Sequence, residues 1–481
     1  MQPKCRAFKA NSSAALADEA LQRALARVPA GFIAKRAAAR VALPEYDALC
    51  AQGTEIKTHT VAHLDLYLEA YEKAVTQAGG HVHWAATPQD ANDIITGICQ
   101  EAGARLVTKG KSMVTEEIAL NAALEAAGYE VAETDLGEYI IQLRKETPSH
   151  IIAPAIHLSR EQVAGDFRSA HKTLPEERSL DTPPELVAEA RAMLRGKFLT
   201  ADVGITGANF LVAETGSAVT VTNEGNGGLT QLLPRVRIVV AGIEKIVPTL
   251  SDASALTRVL ARSATGQEIT MYTTFTSGPR REGETDGPEA YHVVLVDKGR
   301  SELLGSEFRD ILRCIRCGAC MNHCPVYGAV GGHAYGWVYP GPMGSVLTPQ
   351  FVGLDQASHL PNASSFCGRC DSVCPMGIPL TRLMRRWRQR AFKGGVSPWI
   401  ERLSLKGWAL LAKKPRLYRF AINAIMGVLS EWVKPRGSFR WLPGAGAWLK
   451  HRDLPAPPGN TFQTLWQREL KKRRIEARMR K

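Results

Sequence analysis

The hydrophobic positions of the first 60 residues follow a helical repeat. Leu16, Ala20, Leu21, Leu25 and Val28 recur at helical spacing, which places apolar side chains on one face of a helix. Most of the residues between them are small or polar. Residues 1–60 are therefore predicted to form a helical N-terminal segment.

From residue 61 the pattern switches repeatedly between helical and strand-like spacing. Helical spacing predicts helices at 61–78, 115–127, 184–198 and 250–263. Short apolar or β-branched runs predict strands at 105–108, 139–143, 209–213, 218–222, 236–240 and 292–297. Alternation of this kind indicates an α/β domain with a largely parallel sheet, which we place at residues 61–304.

The pattern changes again after Gly305. Residues 305–392 contain two groups of cysteines, and helical spacing at 307–312 and 380–391 flanks them. Residues 393–481 are basic, and seven of the nine tryptophans lie beyond residue 380. We expect an all-α, ferredoxin-like module at 305–392 and a helical, basic C-terminal extension at 393–481.

Seven of the ten cysteines form two runs with a characteristic spacing. The first run is Cys314-x2-Cys317-x2-Cys320-x3-Cys324-Pro325. In two-cluster ferredoxins the first three cysteines of such a run bind one iron–sulfur cluster, and the fourth, before proline, binds the other. The second run repeats the last three positions as Cys367-x2-Cys370-x3-Cys374-Pro375, with Ser364 at the position of the first.

This crossover rule predicts the ligands of two iron–sulfur clusters. We expect cluster 1 to be a [4Fe-4S] centre bound by Cys314, Cys317, Cys320 and Cys374. Cluster 2 has three thiolates, those of Cys324, Cys367 and Cys370. It is either a [3Fe-4S] centre, or a [4Fe-4S] centre whose fourth iron binds Ser364, solvent or a partner group, and the sequence leaves these alternatives open.

A structural zinc site is the competing interpretation of the cysteines. Zinc needs four ligands, which would leave three of the seven cysteines unused and both Cys-Pro endings unexplained. His323, inside the first run, is more typical of a residue that contacts sulfur or solvent than of a ligand. Since iron–sulfur clusters transfer single electrons, the spacing favours an electron-transfer protein. We assign it no catalytic residue and no organic cofactor, because no dinucleotide-binding or phosphate-binding loop accompanies the cysteines.

The formal net charge of +13 is unevenly distributed. Residues 381–481 hold 25 Lys and Arg against 5 Asp and Glu, a net charge of +20, whereas the first 380 residues hold 35 against 42, a net charge of −7. A basic, tryptophan-rich tail suits an acidic partner protein, an anionic membrane surface or nucleic acid. We favour the partner protein, keep peripheral membrane contact open, and expect no nucleic acid, since no nucleic-acid-binding motif is present.

The location of the protein follows from two further features of the sequence. No run of 18 uncharged apolar residues occurs, so a transmembrane helix is not expected. The first residues lead into a polar helical pattern and not into an apolar signal core. We expect a cytoplasmic protein, with peripheral contact at the inner face of the membrane as the open alternative.

Polar residues at strand ends mark a candidate pocket in the α/β domain. They are Asn209, Glu214, Asn223, Glu224, Lys109 and Lys111. Ligands of α/β sheets bind beyond the carboxyl ends of the strands, and lysines at such a site can bind a carboxylate or phosphate. Ordinary turn and cap chemistry is the alternative interpretation.

Several longer motifs surround these residues. They are 206–210, 213–216, 222–226, Asp286-Gly287-Pro288, 292–300, 314–327, 331–336 and Tyr339-Pro340-Gly341-Pro342. In these motifs the chain resembles the lactate utilisation protein B family over nearly its whole length. That family also has three cysteines in the second run, so Ser364 is no anomaly within it.

The resemblance implies a fold, a role and partners. The α/β domain would be of the sugar-isomerase and CoA-transferase-like class. The chain would be the electron-carrying subunit of a multi-protein system that oxidises L-lactate to pyruvate, without catalytic residues of its own. Its partners would be a cysteine-rich subunit and a smaller protein with the same α/β domain. The alternative is a self-sufficient α/β enzyme for a small carboxylate or CoA-type substrate, with structural or regulatory clusters. The terminal electron acceptor and the subunit stoichiometry stay open.

Overall fold

A computed structural model describes residues 3–433, 437–442, 446–449 and 452–479. The chain divides into two compact units, Met1–Val396 and Ser397–Lys481. The larger unit holds the α/β domain and the cysteine runs, and each unit is described by itself.

The larger unit contains helices α1 to α20 and strands β1 to β10. The helices are α1 (Phe8–Ala17), α2 (Glu19–Leu25), α3 (Ala34–Val41), α4 (Tyr46–Ala62), α5 (Leu64–Gln77), α6 (Pro88–Glu101), α7 (Met113–Glu117), α8 (Leu120–Ala126), α9 (Leu136–Arg144), α10 (Arg160–Ala170), α11 (Pro183–Thr200), α12 (Asn226–Leu232), α13 (Leu250–Ala264), α14 (Arg300–Leu304), α15 (Ala319–Asn322), α16 (Pro325–Val330), α17 (Gly341–Val352), α18 (Leu354–Ala357), α19 (Arg369–Ser372) and α20 (Leu380–Lys393). The strands are β1 (His81–Ala85), β2 (Leu106–Lys109), β3 (Glu130–Glu133), β4 (Val203–Gly207), β5 (Phe210–Val212), β6 (Ser217–Thr222), β7 (Val236–Gly242), β8 (Ile246–Val247), β9 (Tyr272–Thr276) and β10 (Ala290–Val296). A π-helical turn lies at Pro29–Ile33, and 3-10 turns lie at Cys5–Ala7, Ile243–Lys245, Arg309–Arg313, His333–Tyr335 and Leu360–Asn362.

Six parallel strands form the main sheet, in the order β1-β10-β7-β4-β2-β3. At its centre Val239 of β7 pairs with Val293 of β10 on one side and with Thr206 of β4 on the other. Every residue of β7 is buried, Arg237 included, because helices cover both faces of a parallel sheet. The prediction of an α/β domain with a largely parallel sheet is confirmed.

A second, four-stranded sheet has the order β8-β5-β6-β9. In it β6 runs antiparallel to both β5 and β9, and β5 runs parallel to β8. The strands predicted at 209–213 and 218–222 lie in this sheet and not in the main one. In the larger unit, five strands had no counterpart among the sequence-based predictions, namely β1, β3, β4, β8 and β9.

Side-chain caps begin several of the helices that cover the sheet. Thr87 and Asp90 form a reciprocal capping box at the start of α6, and Thr249 and Asp252 form another at the start of α13. Such boxes satisfy backbone N–H groups that the first helical turn leaves without a partner. They fix where these helices start relative to the preceding strands.

The strand predicted at 139–143 is wrong, because these residues lie in α9. Asp135 caps this helix by accepting hydrogen bonds from the N–H groups of Gly137 and Glu138, and Lys145 ends it in the left-handed conformation. Tyr139, Ile140 and Ile141 are consecutive and buried. A short buried run of this kind carries no periodicity that separates helix from strand.

The single helix predicted at 115–127 is divided at Ala119, which adopts a left-handed conformation with φ of 57°. Side chains from other parts of the fold donate hydrogen bonds to the carbonyl groups just before the break. Lys298 donates to the Glu117 carbonyl at 2.8 Å, and Asn92 donates to that of Ile118 at 3.0 Å. These tertiary hydrogen bonds replace helical ones and stabilise the break between α7 and α8.

The N-terminal helices and the cysteine region share one hydrophobic core. Tyr46 of α4, Leu256 of α13, Phe308 and Trp387 are buried within it. The rings of Phe308 and Trp387 stack with their centroids 4.0 Å apart. Arg36 of α3 donates to the Val373 carbonyl at 2.9 Å, one residue before Cys374. The N-terminal segment therefore supports the second cysteine run directly.

The smaller unit is basic and mostly helical. It contains α21 (Trp399–Ala412), α22 (Pro415–Val433), α23 (Gly446–Leu449), α24 (Phe462–Met479) and an antiparallel ribbon of β11 (Ser438–Phe439) and β12 (Leu454–Pro455). The prediction of a helical extension is confirmed, and the ribbon adds to it. Trp399, Phe420, Val428 and Trp432 are among its exposed apolar side chains. Within the described residues, no helix has the length and apolar character needed to cross a membrane.

Three histidines on the main sheet predict a pH dependence of stability. Burial, together with His83 and His81, lowers the pKa of His292 to about 4, and His83 Nε2 lies 3.1 Å from His292 Nδ1. Below about pH 6.5 the unfolded chain binds a proton at this histidine before the folded chain does. The contribution of His292 to the free energy of unfolding is therefore fully present above about pH 6.5, and it decreases as the pH falls toward 4.

We expect His292→Gln to lose less stability than the parent protein as the pH falls from 7.5 to 5. The measurement is the apparent melting temperature of the anaerobic protein across this range. His63→Gln is the control, because His63 is exposed on the surface, and it should follow the parent. Equal pH dependence in His292→Gln and the parent would contradict the assignment.

Candidate metal centre and adjoining cavity

The two cysteine runs fold into similar loops. In the first, Arg316 and Gly318 both have positive φ angles, 60° and 73°, on either side of Cys317. In the second, Phe366 and Gly368 have φ angles of 55° and 76° in the same positions around Cys367. The left-handed residue after each cysteine is glycine, which adopts this conformation without steric cost. A one-turn helix follows in each run, α15 and α19, and ends shortly before a Cys-Pro pair.

Four of the seven cysteines line one cavity. They are Cys314, Cys317, Cys320 and Cys374, and the rest of the wall includes Met343, Met376, Ile378 and Leu380. Backbone N–H groups point at two of the sulfurs, since Arg316 N lies 3.4 Å from Cys314 Sγ and Ile378 N lies 3.4 Å from Cys374 Sγ. The loops thus bring Cys374 of the second run to three cysteines of the first.

The other three cysteines are Cys324, Cys367 and Cys370. Burial, with a smaller contribution from Cys367, raises the pKa of Cys324, and burial, then Asp371 and then Cys324 raise that of Cys370. Cys367 is exposed, and hydrogen bonds led by the Arg369 backbone N–H lower the pKa of its thiol. The Ser364 hydroxyl accepts a hydrogen bond from Phe366 N at 3.1 Å. Cys367 is thus the exposed member of this group, whereas Cys324 and Cys370 are buried.

The donor set around the first cavity fits an iron–sulfur cluster. Among the described residues that line it, the metal-binding side chains are four thiols, with no histidine or carboxylate. Burial raises the pKa of Cys374 to about 11, so the free thiol is protonated and binding of a metal must release its proton. An all-thiolate, water-poor site is typical of iron–sulfur proteins. His323 Nδ1 lies 2.9 Å from the Ala319 carbonyl, so this nitrogen bonds backbone.

A buried network of charges connects this loop to the main sheet. Arg300 binds Glu117 through two nitrogens, at 2.9 and 2.8 Å, and binds Glu244 through Nε at 2.6 Å. Glu244 also accepts from Arg316 Nη2 at 3.1 Å, and the Tyr339 hydroxyl donates to Glu117 at 2.7 Å. The network therefore runs from a carboxylate just after β7 to a guanidinium between two motif cysteines.

The charges of the network stabilise one another. Burial would raise the pKa of Glu244, but the guanidinium groups of Arg300 and Arg316 outweigh it and lower that pKa to about 2. Strand β7 ends at Gly242, where a Cβ atom would lie 2.1 Å from Glu244 Oε2. Arg316 also lies over the ring of Tyr339, 5.1 Å from its centroid. The Arg316 side chain is thereby held in one position.

A second cavity, with about 300 Å³ of space, adjoins this network. Residues that follow the carboxyl ends of β2, β4 and β7 line it, as expected of a ligand site in an α/β sheet. Arg316, Lys245 and Tyr339 form part of its wall. The volume is at the lower end of the range for ligand pockets, which suits a small metabolite.

The pocket residues expected from the sequence divide into two sets. Lys111, Asn209, Asn223 and Glu224 line this second cavity. The other two have structural partners elsewhere. Lys109 is buried between Glu116 and Glu133, at 3.0 and 2.8 Å, and Glu214 accepts a hydrogen bond from the N–H of Leu250 at the start of α13.

Sequence reasoning missed four important residues, Lys245, Arg316, Glu244 and Arg300. Arg316 carried a local signal, since a cation directly inside a cysteine motif is placed next to any bound cluster. Glu244 and Lys245 follow β7, a strand that is buried throughout, at the edge where ligands bind. The pairing of Arg300 with Glu117 joins residues 183 positions apart, and nothing local in the sequence reveals it.

Comparison with known protein families identifies three successive regions of the chain. Residues 68–296 match the LUD domain, residues 310–378 match the 4Fe-4S dicluster domain, and residues 388–471 match the C-terminal region of lactate utilisation protein B. The fold and the two thiol groups thus define an iron–sulfur protein with an α/β domain of the LUD type.

Full-length relatives make the assignment more specific. The chain is 42% identical over 472 residues to lactate utilization protein B of Bacillus velezensis, with 98% of each chain covered. It is 42% identical over 459 residues to lactate utilization protein B of Bacillus subtilis, with 95% of each covered. An uncharacterized electron transport protein of Escherichia coli is 41% identical over 461 residues, with 96% of each covered. The chain belongs to the lactate utilisation protein B family.

The buried network predicts a large stability loss in Glu244→Gln. The substitution removes the negative charge that compensates Arg300 and Arg316, and breaking a buried ion pair in this way costs about 3–5 kcal/mol. The measurement is the free energy of unfolding from urea titration under anaerobic conditions. Glu125→Gln, on the exposed face of α8, is the control and should change stability by no more than about 0.5 kcal/mol. A similar small change in Glu244→Gln would contradict the role of the network.

Proposed function

We propose that this chain is the iron–sulfur electron-transfer subunit of a multi-protein system that oxidises L-lactate to pyruvate. The observation that carries the proposal is the grouping of seven motif cysteines into two sets in a chain of the lactate utilisation protein B family. Two clusters supply one-electron transfer, and the chain's own residues bind them, shield one of them from water and hold charges next to it.

The proposed ligands of cluster 1 are Cys314, Cys317, Cys320 and Cys374, and a [4Fe-4S] centre matches their number. Supporting this set, the four thiols line a single apolar cavity and two of them accept backbone N–H groups. Such hydrogen bonds to sulfur stabilise the reduced, more negative state of a cluster.

The proposed ligands of cluster 2 are Cys324, Cys367 and Cys370. The cluster is a [3Fe-4S] centre, or a [4Fe-4S] centre with a fourth ligand other than cysteine. Cys367 is the exposed member of the set, which supports electron exit at cluster 2 toward an acceptor on another molecule. Cluster 1, buried beside the second cavity, would receive the electrons.

The proposed division of the chain is a helical segment at 1–60, the α/β domain at 61–304, the cluster module at 305–392 and the extension at 393–481. Its proposed partners are a cysteine-rich subunit and a smaller protein with the same α/β domain. The proposed location is the cytoplasm.

The C-terminal extension is proposed to bind an acidic surface of a partner subunit. Its charge and its exposed aromatic side chains support this, because Trp399, Phe420 and Trp432 supply apolar contact area beside many cations. Aromatic and basic residues together are typical of protein interfaces. An anionic membrane surface is the alternative that the experiments below separate.

The ligand assignment predicts which cluster each substitution removes. The parent protein, purified anaerobically, should contain about seven or eight irons with matching sulfide. Cys374→Ser should remove the electron paramagnetic resonance signal of cluster 1 and about half of the iron, although Cys367 and Cys370 are its neighbours in sequence. Cys50→Ser, a half-buried cysteine outside both groups, should keep both signals. Loss of the cluster 2 signal alone in Cys374→Ser would contradict the crossover, and zinc without sulfide would contradict the clusters altogether.

The proposed function predicts that L-lactate reduces the clusters only through partner subunits. With the subunits that co-purify from the native host, lactate should bleach the cluster absorbance, and with the isolated chain it should not. Bleaching of the isolated chain would instead support a self-sufficient α/β enzyme. Absence of bleaching in both cases would overturn the proposal.

The same assay tests the C-terminal extension. A triple charge reversal at exposed positions, Lys413→Glu, Lys414→Glu and Arg416→Glu, should lower the partner-supported rate at least about tenfold at low salt, since exposed charges act within about 10 Å at 0.1 M salt. A double reversal at two exposed arginines of the N-terminal segment, Arg23→Glu on α2 and Arg27→Glu just after it, is the control and should keep the rate. Sedimentation of the parent chain with anionic phospholipid vesicles, lost in the triple variant, would favour the membrane instead.

A further inference from the structure

Two cations line the second cavity, and each has bonding capacity that the described residues leave unused. The Arg316 side chain is only 10% exposed, and its Nη1 atom is buried and has no hydrogen-bond partner among the described residues. Lys245 is 7% exposed and lines the same cavity. Its ammonium group makes no hydrogen bond or ion pair within the part of the chain that the structure describes. Buried cations of this kind are costly unless an anion pairs with them.

Nearby buried cations are satisfied, which makes these two stand out. Lys57 donates to the carbonyls of Glu244 and Ile246 at 2.6 and 3.1 Å, and Lys109 lies between two carboxylates. Among the described residues, the carboxylate that pairs with Arg316 is that of Glu244, which Arg300 also binds. A negative charge placed in the cavity would give both Arg316 and Lys245 a further partner.

Acidic and polar side chains also belong to the wall of this cavity. The carboxylates of Asp135 and Glu224 and the side chains of Asn209 and Thr222 line it. Asp135 Oδ1 accepts hydrogen bonds from the N–H groups of Gly137 and Glu138, and Asn209 Oδ1 accepts from Val221 N. Hydrogen-bond acceptors in the cavity wall suit a ligand that carries a donor such as a hydroxyl group. The cavity therefore offers cations to an anion and acceptors to a hydroxyl group.

Arg316 connects the cavity to the cysteines. Its backbone N–H points at Cys314 Sγ, 3.4 Å away, while its guanidinium lines the cavity and binds Glu244 at 3.1 Å. An anion bound at this guanidinium would change the electrostatic field at Cys314 and the position of the loop. Both changes would reach a cluster bound there.

We propose that the second cavity binds a small hydroxycarboxylate, with its carboxylate between Arg316 and Lys245, and that its binding is sensed by cluster 1 through Arg316. The proposal of an anion site depends only on the residues that line the cavity. The choice of hydroxycarboxylates and the effect on cluster 1 rest on the proposed function.

The first experiment measures binding to the intact, anaerobic protein by calorimetry. L-lactate is the probe, propionate lacks its hydroxyl group, and lactamide lacks its negative charge. We expect L-lactate to bind more tightly than propionate, and lactamide to bind at least about tenfold more weakly than L-lactate. No binding of L-lactate, or equal binding of lactamide, would overturn the anion site.

Lys245→Gln should weaken L-lactate binding at least about tenfold, because it removes one charge-assisted hydrogen bond. Lys73→Gln is the matched control, since Lys73 is exposed on α5 and does not line the cavity, and it should bind as the parent does. Lys111→Gln provides a second test on the cavity wall and should also weaken binding. Unchanged binding in both cavity variants, with both proteins folded by melting temperature, would overturn the site.

The second experiment separates this inference from the proposed function. Addition of L-lactate to the dithionite-reduced protein should change the line shape of the cluster 1 signal in the parent and not in Lys245→Gln. An unchanged signal despite tight binding would overturn sensing through Arg316 and leave the cavity site in place. Absence of the clusters themselves would overturn the proposed function, while the calorimetric result would still decide the anion site.

Discussion

The buried pairing of Arg300 and Arg316 with Glu117 and Glu244 is the constraint on which the rest of the structure depends. It joins the carboxyl edge of the parallel sheet to the loop that carries the first cysteine run. Charges removed from water must be paired almost completely, so each of these residues fixes the position of the others. The α/β domain and the cysteine region are thereby held as one body, and Arg316 is placed between a cavity and a thiol group.

Around this network the molecule separates two environments for its cysteines. Four thiols lie in an apolar cavity next to buried cations, whereas the other group includes the exposed Cys367. A cluster in the first environment is protected from water and is influenced by nearby charge, and one in the second can approach a partner. The N-terminal helices contribute to the same core through Arg36 and Tyr46. Their role is to hold the second cysteine run against the first.

Local sequence signals succeeded where the chemistry itself is local. The β-branched run of β7 and the helical spacing of α13 identify their elements directly, because both patterns are carried by neighbouring residues. They failed at 139–143, where consecutive buried residues fit either a helix or a strand, and at Ala119, where side chains distant in sequence break a helix. The residues predicted to line a pocket also met with mixed success. Lys111 lines the cavity, whereas Lys109 forms buried ion pairs.

The sequence by itself determined the chemistry of the protein. The spacing of its cysteines, the alternation of its α/β domain and the concentration of charge in its tail can each be read from neighbouring positions. The tertiary structure alone decided which side chains meet. Ion pairs such as Arg300 with Glu117, and the meeting of Arg316 and Lys245 at the wall of one cavity, arise between residues far apart in the chain. Their energies come from burial, which is a property of the packed molecule and not of any segment.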